Sequence, residues 1–159
     1  MRAFWSYNKE IARQLYNCKD DDYLKYISIT NLVKCNNAMG DEGRNPDGSA
    51  TDKTTHTMKN NCMNILQVFW REVSILKPKN IVIYSHYHYD NFLDNIPIIQ
   101  ITKEKTSKQY KRKNGKKEIY WWDREGVLRG SSVRILRTSH PERQKKDDFV
   151  KKIIDWIRE

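Results

Sequence analysis

Residues 133–144 read V-R-I-L-R-T-S-H-P-E-R-Q, and the reading of this stretch decides the fold. From Val133 to Ile135 apolar side chains alternate about Arg134, and the apolar, β-branched run to Thr138 reads as a strand with a buried face. A Ser-His-Pro then stops the run. Pro141 fixes its own φ and biases His140 toward an extended backbone. A histidine held in that way at a strand end is placed to point at something, and the rest of the chain must say what.

Upstream, Asn80 to Tyr84 (N-I-V-I-Y) and Tyr26 to Val33 (Y-I-S-I-T-N-L-V) read as buried strands, short, apolar and β-branched. Ile96 opens a further apolar run, I-P-I-I-Q-I, and Glu118 to Trp122 reads as another strand. Between them lie helical patterns. Phe4, Tyr7 or Asn8, Ile11 and Leu15 follow helical spacing over Phe4 to Asn17. A strong helix is predicted from Met58 to Lys77, with Ile65, Phe69, Val73 and Leu76 as its buried face and Pro78 as its stop. A short helix is predicted over Tyr89 to Leu93. The last, over Glu142 to Arg158, carries Phe149, Ile153, Trp156 and Ile157 on its apolar face. This alternation argues an α/β fold, a parallel or mixed sheet with helices on both faces. In such sheets the ligand crevice lies beyond the carboxyl ends of the strands. Thr30-Asn31, Ser85-His86 and Ser139-His140 would then converge on one edge.

The 159 residues bound a single domain, 1–159, large enough for a real core. Two segments break the pattern. Residues 36–56 hold glycines, a proline and many Asn, Asp, Ser and Thr, and read as a long loop of the kind that often serves function. Residues 103–117 contain eight Lys/Arg against one Glu, with Asn114-Gly115 as a hairpin signal, and read as a basic hairpin or loop. The net charge is +10, which favours a polyanion such as nucleic acid, or an anionic membrane surface. No apolar run approaches the roughly 20 residues of a membrane span, and the N-terminus lacks the apolar core of a signal peptide. Three widely spaced cysteines argue against a disulfide framework and fit a reducing cytoplasm.

Three pieces in order carry a resemblance: I-S-I-T-N-L-V-K-C from Ile27, a helix holding Cys62 that leads to L-K-P-K-N-I-V-I-Y, and L-R-T-S-H-P. Together they resemble the uracil-DNA glycosylase superfamily, closest to its iron–sulfur-containing branch. The resemblance covers about Tyr26 to Glu159. It implies a three-layer αβα sandwich with a mostly parallel central sheet, and hydrolysis of the N-glycosidic bond of uracil or a related base in DNA, a repair reaction. Asn31 would read the pyrimidine edge of a flipped-out base, since an amide offers both donor and acceptor. His140 would stabilise the charge that grows on the departing base. Phe4 or Trp5 would stack on that base. Arg143 and Gln144 would probe the duplex. Lys34, Lys111, Arg112, Lys113 and Lys116 would contact phosphates, with Tyr110, Tyr120, Trp121 and Trp122 near enough to stack on exposed bases.

The chain departs from the family in two places. The glycine-rich first motif, whose acid positions the attacking water, has no counterpart, so the chain is either a piece of a longer protein or a protein that does without it. Of the four thiolates of a [4Fe–4S] cluster only Cys35 and Cys62 have counterparts, so no cluster is expected. Cys35, His56 and Cys62 have the ligand types of a zinc site but no recognised spacing. A non-catalytic nucleic-acid-binding module on the same fold is therefore the alternative. A third reading is a metal-dependent hydrolase using His86, His88 and Asp90, whose S-H-Y-H-Y-D-N follows a hydrophobic strand but lacks the next histidine of such sites.

Overall fold

The computed structural model describes residues 2–19, 22–32, 56–85, 89–94, 96–105 and 122–159. These form a mixed α/β structure around one four-stranded sheet. The helices are α1 (Arg2–Tyr16), α2 (His56–Asn60), α3 (Val68–Leu76), α4 (Asp90–Leu93) and α5 (Lys146–Arg158). The strands are β1 (Asn80–Tyr84), β2 (Gln100–Lys105), β3 (Trp122–Leu128) and β4 (Ser131–Thr138), in the order β1-β4-β3-β2. β1 pairs with β4 in parallel, while β4–β3 and β3–β2 are antiparallel. The expectation of a mostly parallel sheet is thus corrected. The β3–β4 connection is a two-residue hairpin at Arg129 and Gly130, with φ of 47° and 82°. Both residues are left-handed, as the hairpin turn that matches strand twist requires, and a glycine supplies one of them. An antiparallel return replaces a helical crossover at this point.

Alternating residues of the strands feed two cores. Ile81, Ile83, Trp122, Leu128, Val133 and Ile135 face α3 and α4, where Met63, Phe69, Trp70, Val73, Phe92 and Leu93 cover them. Leu136, with the partly buried Val82 and Tyr84, faces α1 and α5, where Ile11, Phe149, Val150, Ile153, Ile154 and Trp156 cover it. The two covering helices run in the same direction. The Tyr7 hydroxyl near the start of α1 donates to Gln144 O just ahead of α5, and Arg158 at the end of α5 donates to Gln14 O near the end of α1. Gly126 lets the chain before β2 lie close on β3, since a Cβ there would sit 2.6 Å from Ile99 Cγ2 and 2.7 Å from Gln100 O.

Several expectations change. Over 26–32 no strand forms. Tyr26 is exposed after the 3₁₀ turn Tyr23–Lys25, and the Thr30 hydroxyl donates to Glu72 Oε2 of α3 at 2.6 Å, so this segment is tethered to a helix instead of joining the sheet. The long helix predicted over Met58 to Lys77 is three pieces: α2, a π-helical turn Asn61–Ile65, and α3 beyond a left-handed Gln67 (φ 51°). The break rephases the buried face. Phe69 and Val73 are buried as predicted, but Ile65 and Leu76 are 63% and 54% exposed, and Cys62 and Met63 take the interior. Cys62 is moreover disulfide-bonded, which corrects the expectation of reduced thiols and removes the ground for assigning a reducing compartment. Cys18 is free. No helix among the described residues is long and apolar enough to cross a membrane.

Candidate nucleic-acid interface

β1 and β4 leave the sheet side by side. Because they run parallel, their carboxyl ends share an edge, and Ser85 N donates to Thr138 O at 2.9 Å to extend the ladder past β1. Two of the three expected polar clusters, Ser85 and Ser139-His140, therefore meet. Arg137 lies under this edge, 2% exposed, its Nε donating to Ser85 Oγ at 3.1 Å. Its guanidinium stays charged at any accessible pH.

His140 adopts φ −65°, ψ 138°, the extended geometry that Pro141 imposes, and caps the 3₁₀ turn Pro141–Arg143. Its Nδ1 accepts a long hydrogen bond from Glu142 N at 3.4 Å, and the Glu142 carboxylate lies 3.7 Å from the same nitrogen. With Nδ1 accepting, a neutral imidazole carries its proton on Nε2, which becomes the donating nitrogen. The side chain is 47% exposed, so a ligand can reach it.

Phe4, in the first turn of α1, stacks on the His140 ring with centroids 6.1 Å apart and planes 17° from parallel. Trp5 meets Phe4 edge-on at 5.3 Å and Tyr84 meets it edge-on at 5.7 Å, both favourable aromatic geometries. Trp5 is 45% exposed and so presents an aromatic surface next to Phe4. Below the rings, the Tyr84 hydroxyl donates to Asn8 Oδ1 at 2.9 Å, and burial pushes its pKa up from the ordinary 10.0. Thr138, opposite Tyr84 in the ladder and 0% exposed, has a hydroxyl without a hydrogen-bond partner among the described residues.

Phe4, Trp5 and His140 thus come together across more than 130 positions of sequence. Asn31 is exposed, and its neighbours tie it to the other face of the sheet: Thr30 to Glu72, and Leu32 to the cluster under α3. Among the described residues no hydrogen bond or ring contact joins Asn31 to His140. Gln144 turns inward, its Nε2 donating to Ser139 Oγ at 3.0 Å, so it braces the turn and does not reach outward. Arg143 lies on the 3₁₀ turn next to Glu142. Lys145 and Lys146 follow at the start of α5, and the sequence reading passed over both. Asn8 and Tyr84 enter the sequence pattern only as places on a helix and a strand, with no site role. The available signal was an amide at a helix position where spacing calls for an apolar residue.

Lys34, Cys35, Lys111, Arg112, Lys113, Lys116, His86 and His88 lie outside the described residues, as do 36–55 of the long loop and 106–117 of the basic run. Lys103 to Lys105 belong to β2, and Asp90 opens α4. Among the described residues no three His, Cys, Asp or Glu side chains form a group that could hold a metal. No family model, curated protein or solved structure matches the chain.

Proposed function

We propose that this edge holds an extruded base of DNA, and that the protein is a glycosylase-like base-binding protein on a uracil-DNA glycosylase-like αβα frame. The observation that carries the reading is the parallel stack of Phe4 on His140 where β1 and β4 leave the sheet. It supports the pairing of an aromatic platform with a hydrogen-bond donor that the sequence motif implies. A base stacking on Trp5 would bring its ring carbonyl toward His140 Nε2. Stacking of one base on an aromatic side chain is worth about 1–3 kcal/mol and does not depend on which base it is. The donor adds selectivity for a base with an accepting edge. Lys145, Lys146 and the overall charge of +10 favour the phosphate backbone.

The reaction is hydrolysis of the glycosidic bond of uracil or a related base. Water adds to C1′ and gives up a proton to solvent, the C1′–N bond breaks, and its electron pair leaves with the base, whose negative charge the imidazole donor stabilises until solvent protonates it. One donor of this kind contributes about 10²–10³ in rate. The test is incubation of the full chain with single-stranded DNA containing one uracil, followed by alkali. Strand scission that His140→Ala lowers about 10²-fold or more supports the enzyme. Absence of scission at high enzyme excess overturns it.

A second reading, binding without bond cleavage, is favoured by the position of Asn31, which no described contact brings to His140. Under it the same oligonucleotide binds and stays intact. Affinity then falls steeply with added salt, because each neutralised phosphate releases counterions.

A further inference from the structure

Asn8 is a buried amide on the inward face of α1, 8% exposed, at a position where helical spacing calls for an apolar side chain. Asparagine in a helix interior is unfavourable because it competes for backbone hydrogen bonds. Here its Nδ2 donates to Phe4 O at 2.9 Å and its Oδ1 accepts from the Tyr84 hydroxyl at 2.9 Å. Both ends of the amide are therefore spent on joining the first turn of α1 to the last residue of β1. That first turn needs help. It contains no acidic residue to complement the helix dipole. A first turn of this kind tends to fray, and Phe4 lies in it.

We propose that Asn8 and Tyr84 are positioning residues, a hydrogen-bonded post that fixes the Phe4 ring against His140. The Tyr84 ring holds the edge of Phe4, its hydroxyl holds Asn8, and Asn8 pins the carbonyl of Phe4 itself. The imidazole is thereby kept in one orientation before a ligand arrives, which lowers the entropy lost on binding. The consequence for binding rests on the base-binding reading above, whereas the post itself does not.

The experiment uses the full chain and two variants. Tyr84→Phe keeps the ring contact and deletes the hydroxyl. Asn8→Asp keeps an acceptor for Tyr84 and deletes the donor to Phe4. Proton NMR of the His140 ring reads the stack directly, because the Phe4 ring current moves those resonances away from their unstacked values. Both variants are expected to move the His140 signals toward unstacked values at unchanged pH while circular dichroism keeps the native spectrum. A fall in melting temperature with unmoved His140 signals means a merely structural bond and overturns the proposal. In parallel, affinity for a uracil-containing single-stranded oligonucleotide is expected to weaken about tenfold in Tyr84→Phe. If the unaltered protein does not bind that oligonucleotide, the base-binding reading fails while the NMR arm still decides the post.

Discussion

The two faces of the sheet differ in how firmly their helices are written into the sequence. On the α1/α5 face, two regular helices lie parallel over Leu136, and each is tied to the other at both ends. On the α3 face, the covering chain changes from α-helix to π-helix, passes through a left-handed Gln67 and starts again. The first face supplies Phe4 and the stack on His140. The second faces outward with exposed apolar residues such as Ile65, Leu66 and Ile75. The lesson is that a fixed periodicity locates the core only while the helix stays in phase. One extra residue per turn in a π-helix rotates everything beyond it.

The largest expected effects test whether both faces are true cores. Trp70→Ala on the α3 face and Phe149→Ala on the α5 face each should lower unfolding free energy by about 3–5 kcal/mol, read from urea denaturation. A small loss at Trp70 alone would mean that the interrupted face is not consolidated. The rephasing itself is sharpened by a neighbouring pair. Met63→Ala is expected to cost about 2–5 kcal/mol. Ile65→Lys, at a position the simple helical pattern would bury, should change stability by no more than about 0.5 kcal/mol. Equal losses would restore the single straight helix.

Smaller effects probe the strand ends. Thr138→Val replaces a buried hydroxyl that has no hydrogen-bond partner among the described residues by a methyl of the same shape, and should be neutral or stabilise by up to about 1 kcal/mol. A clear loss would reveal a partner for that oxygen. The smallest effect is a titration. Burial raises the Tyr84 pKa, so the folded state keeps that proton above the ordinary tyrosine range. The sign follows: the stabilisation is fully present below the unfolded tyrosine pKa of about 10 and declines as pH rises above it. Alkaline absorbance titration should therefore show one tyrosine that ionises only with unfolding, and Tyr84→Phe should remove it. If that class persists in Tyr84→Phe, the buried hydroxyl belongs elsewhere.

Much of the fold was legible. The strand Asn80–Tyr84 falls where its apolar run predicts, and β4 keeps its predicted end at Thr138 before Ser-His-Pro. The buried faces of α1 and α5 follow their spacing through Ile11, Phe149, Ile153 and Trp156. The misreadings share one cause, competition between local pattern and tertiary context. Residues 26–32 are apolar and β-branched, yet Thr30 finds a carboxylate on α3 and the segment pairs with no strand. Arg129-Gly130 makes the described hairpin, whereas Asn114-Gly115, a stronger dipeptide signal, lies outside the described residues. Of the residues the resemblance singles out, Phe4 lies against both Trp5 and His140. The role of Asn8 and Tyr84 was not legible, because it depends on a hydrogen bond between residues 76 positions apart.

The measurement closest to the central claim is photochemical. Single-stranded DNA carrying one 5-iodouracil, mixed with the full chain and irradiated at long wavelength, links the halogenated base to the aromatic ring against which it lies. The account predicts a crosslink to Trp5 or its neighbours Phe4 and His140, competed by an unmodified uracil strand and reduced by Trp5→Ala. Crosslinking confined to peptides that contain none of these three residues would contradict it.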